Sequence, residues 1–313
     1  DKMRCLVTGS SGFIGSHLVK ELRKRGHDVK ELDIKNPLSV SERNMPFGNP
    51  ENDIRGILIE DLAEIDWVFH LGAASGSLHF QPNPIEGTDI NCVGTVKLLE
   101  AAKQAGVKKF VFASTGSNYG GTPLPHHESW AQQPPNFYGA TKLFDELAVK
   151  FYNELYGLNT VTFRFASVYG DNEDSKILPQ GNLANVISQF IWAMIKGEQP
   201  EIWGSGKQTR DFIFVDDIVN GLIFGAENLG NGQLYNLGTG AETSFNQVIE
   251  KINKALGTDI KPKYVEPSNK SVQKNYVDKQ LFDVDKLAQQ GFRTSINVEN
   301  GIRRIVENIR ARQ

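Results

Sequence analysis

The sequence predicts an α/β protein: a doubly wound parallel sheet, with a smaller α/β lobe in the C-terminal part of the chain. Three observations carry that expectation. Short apolar runs alternate with helical periodicities as far as residue 166, a glycine-rich turn lies between the first run and the first helix, and beyond 166 the texture changes to helices separated by shorter strands. Residues 4–8 (RCLVT) are β-prone and end at a glycine; 12–25 then show helical spacing, with Ile14, Leu18 and Leu22 on one stripe and Gly26 as the stop. Strands are expected at 29–34, 67–71 (WVFHL), 110–113 (FVFA) and 160–165 (TVTFRF), with helices at 90–105 and 138–156. Short strands apolar on both faces suit a parallel sheet covered by helices, and right-handed crossovers leave the doubly wound order as the natural solution. Further on, helices are expected at 182–196, 216–228, 244–256 and 298–312, and strands at 210–215 and 233–237.

Composition narrows the function classes. The 313 residues carry a formal net charge of -3, with 39% hydrophobic and 23% charged residues. No field of one sign is implied, so nucleic acid and membrane surfaces are not expected partners. No apolar run reaches the roughly 18 residues that a bilayer span needs. Cys5 and Cys92 stand far apart in apolar segments, so a disulfide framework is not expected and a reducing cytoplasm fits. His70 reads as a packed residue of a core strand. His126 and His127 lie in a loop without further ligands at metal spacing, so no metal is expected.

The turn Thr8-Gly9-Ser10-Ser11-Gly12-Phe13-Ile14-Gly15 has the spacing G-x-x-G-x-x-G. Gly9 allows a tight turn, Gly12 a close approach to pyrophosphate, and Gly15 close helix–sheet packing, while the following helix offers N–H groups to phosphates. Asp33 ends the second strand, eighteen residues after Gly15. A carboxylate there suits both ribose hydroxyls of NAD and repels a 2′-phosphate; a strand-end aspartate capping the next turn would look the same. This is the Rossmann pattern. It divides the chain into a dinucleotide-binding domain (1–166 with about 209–238) and a smaller lobe (about 167–208 with 239–313) expected to cap the carboxyl ends of the strands.

Tyr138-Gly139-Ala140-Thr141-Lys142 sets a tyrosine and a lysine four apart on one helix face. A phenol near pKa ~10 is a poor base at neutral pH, and a neighbouring ammonium with a positive nicotinamide would favour the phenolate. The pair follows a strand that ends Ser114-Thr115.

With these segments the chain resembles the extended short-chain dehydrogenases/reductases, within them the NAD-dependent nucleotide-sugar epimerases and dehydratases, UDP-glucose 4-epimerase among them. The likeness runs in order through TGSSGFIG (8–15), DIR (53–55), VFHLGAA (68–74), NCVGT (91–95), FVFAST (110–115), NYG (118–120), YGATK (138–142), RDFIFVDD (210–217), YNLGTG (235–240) and NGIRRI (300–305). It implies that Tyr138 moves the proton of the sugar 4-hydroxyl, that Lys142 holds the nicotinamide ribose and tunes Tyr138, and that Thr115 hydrogen-bonds the same sugar oxygen. It implies further that Asp53 and Ile54 grip the adenine. Phe13, Ile14, Leu71, Gly72, Ala73, Ala74, Ser114 and Phe165 would line the rest of the cofactor. Arg210, Asn182, Ser167 and Lys274 are the implied substrate contacts, Arg210 at the diphosphate, where a planar guanidinium meets phosphate oxygens bidentately. An ion pair of Arg210 with Asp211 or Asp216 is the alternative.

By the same resemblance the activity is C4 epimerisation of a UDP-hexose, and the assembly a homodimer pairing helices 91–106 and 138–157 into a four-helix bundle. A 4,6-dehydratase would carry an Asp-Glu pair directly after the threonine, where Gly116 and Ser117 stand. A UDP-glucuronate decarboxylase, a net oxidoreductase on a small substrate and a non-catalytic NAD-binding scaffold remain alternatives. The chain departs from the family at Ala166 and Ser167, where an aromatic and an asparagine are usual. It departs again near Gln273, where an arginine is usual and Lys270, Lys274 and Lys279 lie close by, and in the loop 36–52.

Overall fold

The computed structural model describes residues 1–33, 53–74, 83–173, 177–178, 181–182, 185–266 and 276–312. The chain forms two compact units, Asp1–Asn118 with Pro134–Arg164 and Val219–Tyr235, and Tyr119–Gln133 with Phe165–Ile218 and Asn236–Gln313.

The first unit is built on a six-stranded sheet. Its strands are β1 (Arg4–Thr8), β2 (Asp28–Leu32), β3 (Trp67–His70), β4 (Lys109–Thr115), β5 (Thr160–Phe165) and β6 (Gln233–Leu237), in the order β6-β5-β4-β3-β1-β2. β1 pairs in parallel with both β2 and β3, and β3 with β4. This is the Rossmann-like α/β arrangement that the alternating pattern predicts. All four residues of β3 are buried, as in a strand covered on both faces. The chain turns one way from β1 to β2 and the other way to β3, so the carboxyl end of β1 is the switch point at which such sheets bind ligands. The helices are α1 (Phe13–Lys24), α2 (Gly94–Gln104), α3 (Phe137–Tyr156) and α4 (Val215–Asn228). α1 buries Phe13, Leu18, Val19 and Leu22, whereas Ile14, expected on the buried stripe, is only half-buried. Leu98 and Leu99 of α2 pack with Leu6, Val68, Phe110 and Phe112 of the sheet in one apolar cluster.

Sequence periodicity placed one helix over 90–105. The structure instead has a π-helical turn, Asp89–Val93, leading into α2. A π-turn widens the helix by one residue and often marks a functional position. α3 begins one residue before the expected start because Asn136 caps it, its side chain accepting from Gly139 N at 2.9 Å.

The second unit pairs short strands beside helices, among them Val186–Ile195, Phe245–Leu256 and Val298–Arg312. Ser167–Tyr169 runs parallel to Phe212–Phe214, Glu201–Trp203 parallel to Lys263–Val265, and Thr209–Arg210 antiparallel to Thr243–Ser244. The helix expected over 182–196 spans Val186–Ile195, because the Asn185 side chain caps it and Gly181–Asn182 form a two-residue strand. The helix Phe245–Leu256 starts at a capping box of Ser244 and Gln247 and buries Phe245, Val248, Ile249 and Ile252. Among the described residues no helix is long and apolar enough to cross a membrane.

Candidate active site

The glycine-rich turn closes on itself so tightly that side chains are excluded at Gly9 and Gly15. Gly9 has φ +68, and a Cβ there would lie 2.8 Å from Gly72 N; a Cβ on Gly15 would lie 2.0 Å from the Gly9 carbonyl oxygen. Gly12 caps α1 without a side-chain acceptor, and the first turn, Phe13, Ile14 and Gly15, offers backbone N–H groups and carries no acidic side chain. That is the donor set a pyrophosphate needs. Asp33, at the tip of β2, reaches over the turn and accepts from Ser11 N at 2.6 Å, which brings its carboxylate to the mouth of the cradle. A dinucleotide fits these residues: backbone donors without side chains at the turn and a carboxylate beside it.

The floor of the cradle is made by the end of β3. Thr8 Oγ1 accepts from Leu71 N (3.1 Å) and Gly72 N (2.9 Å). Ala74, two residues on, is buried and exchanges two hydrogen bonds with the Asn91 side chain, whose Oδ1 accepts from Ala74 N at 2.7 Å and whose Nδ2 donates to Ala74 O at 2.9 Å. The same Nδ2 donates to Thr141 Oγ1 at 3.0 Å, so the π-turn residue Asn91 ties the Gly72-Ala73-Ala74 segment to α3, next to Lys142. Asn91 belongs to the NCVGT segment of the family resemblance, and no periodicity or spacing singles it out.

On α3, Tyr138 and Lys142 stand one turn apart as expected. The Lys142 ammonium is buried, donates to the Ala113 carbonyl at 2.7 Å and lies 4.6 Å from the Phe112 ring centre. Burial pushes its proton affinity down, against the charges of Asp145 and Glu146. Burial, and then the Asp145 carboxylate, push the Tyr138 phenol up to about 12. That direction is opposite to the expected tuning, because desolvation and the Asp145 charge both disfavour the phenolate. Thr115 ends β4 with its Oγ1 2.9 Å from Ser117 Oγ. Ser114, expected to line the cofactor, turns its hydroxyl to Glu146 (2.5 Å), which forms a buried ion pair with Arg164 at 2.8 Å.

Asp53 and Ile54 sit at a short 3-10 turn. The Asp53 carboxylate accepts from Arg55 N (2.8 Å) and Arg55 Nε (3.0 Å), and Arg55 also reaches Asp89 at 3.1 Å. Ile54 is buried against Gly94 at the start of α2. Asp53 is thus engaged by a cation two residues along the chain.

In the second unit, Phe165 closes β5 half-buried, and Ser167 Oγ donates to Gln280 Oε1 at 3.1 Å. Arg210 lies between two rings, its Cζ 5.6 Å from the centre of Phe245 and 5.5 Å from that of Tyr276, and donates to the Thr209 carbonyl at 2.7 Å. Neither proposed ion-pair partner holds it. Asp211 accepts from Thr239 and Gly240, and Asp216 pairs with Arg304 at 2.8 Å. Among the described residues no carboxylate lies within ion-pair distance of Arg210; the Tyr276 hydroxyl bonds it and the Asp278 charge acts on it, so its guanidinium is held in place by a phenol and two rings. Asn182 is described by its strand backbone alone; Lys274, Lys270, Gln273 and the loop 36–52 lie outside the described residues. No group of three or more metal-ligating side chains occurs among the described residues.

The NAD dependent epimerase/dehydratase family model matches residues 5–238. A putative UDP-glucose 4-epimerase of Methanocaldococcus jannaschii is 34% identical, over 96% of this chain and 96% of its own. A UDP-N-acetyl-alpha-D-glucosaminuronate decarboxylase of Bacillus cytotoxicus is 32% identical, over 98% and 97%. Among solved structures, the UDP-glucose 4-epimerase of Thermotoga maritima with UDP-glucose has a TM-score of 0.85 at 32% identity, over 99% of each chain.

Proposed function

Because the chain belongs to the NAD dependent epimerase/dehydratase family, with NAD as its cofactor, we infer that it inverts C4 of a UDP-hexose through a transient 4-keto sugar. The observation that carries this reading is the Asn91 bridge, which joins the floor of the dinucleotide cradle to the helix bearing Tyr138 and Lys142. When bound, NAD would supply the acceptor and donor of the C4 hydride. The α1 N–H groups would hold its pyrophosphate, Asp33 its adenosine ribose and Lys142 its nicotinamide ribose. Tyr138 would take the proton of the 4-hydroxyl and return it, with Thr115 orienting the same oxygen. Arg210 would meet the substrate diphosphate. The first unit is thus assigned the dinucleotide and the second the nucleotide-sugar.

Epimerisation is favoured over dehydration because Gly116 and Ser117, the first residues of the 3-10 turn after Thr115, bear no carboxylate for removing water across C5 and C6. Decarboxylation of a UDP-uronate is the second reading, supported by the decarboxylase relative. Both start with the same C4 oxidation, so product analysis separates them. NMR of incubations with UDP-glucose, UDP-N-acetylglucosamine and UDP-glucuronate is expected to show C4 epimers. A UDP-pentose with release of carbon dioxide would support the second reading, a keto-deoxy sugar would indicate a dehydratase, and binding without turnover a scaffold.

The assembly assigned is a homodimer. Phe144, Leu147, Phe151 and Leu155 leave an apolar stripe on α3 between 46% and 68% exposed, a face that a second copy of the same helix would cover. A cytoplasmic location suits the two free cysteines.

A further inference from the structure

One buried carboxylate has no part in the reaction drawn above, yet it lies on the helix face that carries the chemistry. Tyr138, Lys142 and Asp145 occupy positions i, i+4 and i+7 of α3, so a single stripe presents all three. Two carboxylates follow Lys142 within about one turn, and their surroundings differ. Glu146 is met by the Arg164 guanidinium (2.8 and 3.0 Å) and by the Ser114 hydroxyl. Asp145 is 1% exposed, accepts a hydrogen bond from Thr95, and its Oδ1 has no hydrogen-bond partner. A buried carboxylate held by one hydroxyl is costly unless a cation stands by it. Lys142, whose own hydrogen bond goes to the neutral Ala113 carbonyl, is the nearby cation on the same stripe.

The Thr95 hydroxyl is itself oriented from the cofactor side. Thr8 Oγ1 accepts from Leu71 N and Gly72 N, so its single proton goes to His70 Nδ1 at 2.7 Å. The imidazole then carries its proton on Nε2 and donates to Thr95 Oγ1 at 2.8 Å, which leaves the Thr95 proton for Asp145. A buried line of hydrogen bonds therefore runs from the end of β3, under the glycine-rich turn, to the catalytic helix.

We propose that Asp145 is a positioning residue of the active site, the counter-charge that keeps the Lys142 ammonium charged and seated, with its orientation set by the line Thr8–His70–Thr95. The assignment rests on the roles given to Tyr138 and Lys142. The charged and titratable groups around Asp145 are Lys142, Glu146 and Tyr138 on its own helix, Cys92 from the π-turn, and neutral His70 from β3 through Thr95.

Asp145→Asn in the NAD-loaded enzyme removes the charge and keeps an acceptor for Thr95. Loss of one negative charge lowers the proton affinity of Lys142 and of Tyr138. Both limbs of the kcat/KM–pH profile are therefore expected to move acidward together, by on the order of one pH unit. A readout independent of turnover is the ultraviolet titration of the Tyr138 tyrosinate, taken as the difference between proteins with and without Tyr138→Phe; it is expected to shift the same way. Asp145→Ser, smaller and neutral, carries the same test if the asparagine variant does not fold. Superimposable titrations and unmoved limbs in a folded variant would overturn the proposal, and so would a fall in kcat with both limbs in place. Failure of the wild type to turn over any nucleotide-sugar would sink the proposed function instead, and the tyrosinate titration would still decide for or against Asp145.

Discussion

Replacing Gly15 by alanine tests the cradle at its tightest point. The new methyl carbon would stand 2.0 Å from the Gly9 carbonyl oxygen, 2.8 Å from the Gly9 carbonyl carbon and 3.0 Å from Ser10 Cα. Non-bonded atoms rest near ~3.5 Å, so turn and helix must separate by roughly 1.5 Å, with backbone on both sides of the clash. Gly9 has nowhere to retreat, because the space where its own Cβ would lie is already 2.8 Å from Gly72 N. The start of α1 must therefore move, and the pyrophosphate donors move with it. Losing two charge-assisted hydrogen bonds at about 1.5–3 kcal/mol each predicts a loss on the order of 4 kcal/mol, or about a thousandfold in Kd for NAD. Calorimetric titration of NAD into nucleotide-stripped protein measures it. Gly12→Ala is the control for the fold: its only near neighbour is Gly9 O at 3.2 Å, and its melting temperature should stay close to wild type. A Gly15→Ala protein that bound NAD within about threefold of wild type would refute the reasoning.

Tyr138→Phe should keep NAD affinity and lose about 10²–10⁴-fold in turnover, measured as initial rates; near wild-type rates would remove Tyr138 from its role. Breaking the buried Glu146–Arg164 pair with Arg164→Met should cost about 3–5 kcal/mol in urea unfolding, and adding Glu146→Leu should recover most of it. His70 is held down at about 3, by burial first and then by the Lys142 charge, against ~6.5 when unfolded, so its contribution to stability is full above pH ~6.5 and is lost as the pH falls toward 3. Asp145, pushed up to about 7 by burial against the Lys142 charge that holds it down, has the opposite sign: its contribution is full below about pH 4 and is lost as the pH rises toward 7, where the carboxylate becomes the counter-charge of Lys142. The two slopes oppose each other in the wild type. In Asp145→Asn the His70 slope remains, and unfolding free energy should climb by about 1.4 kcal/mol per pH unit between roughly pH 4 and 6.5; a flat profile would contradict it. Phe151→Asp with Leu155→Asp should give a monomer by ultracentrifugation at micromolar concentration, whereas an unchanged dimer would move the interface off α3.

What could be read from the sequence is what local spacing carries. The parallel sheet, the glycine triplet with Asp33, and the Tyr138–Lys142 pair each need only a short window and a known period. What escaped are contacts that join distant segments. His70 to Thr95 spans 25 residues, Asn91 to Thr141 spans 50 and Ser114 to Glu146 spans 32, and no periodicity predicts those partners. Arg55 is a different case: it stands two residues from Asp53 and could have been recognised as that carboxylate's nearest cation. Asp145 too was within reach, since seven residues after Tyr138 is the same helix face. The π-turn at Asp89–Val93 was hidden because its composition is that of an ordinary helix.

In the proposed cycle hydrogen leaves C4 of the bound sugar as hydride and returns to the opposite face of the same carbon. UDP-glucose carrying deuterium at C4, incubated with the enzyme and unlabelled NAD, tests it by NMR. The expected product is UDP-galactose with the deuterium still at C4. Product with solvent hydrogen at that carbon, or deuterium kept in starting material with no epimer formed, would contradict it.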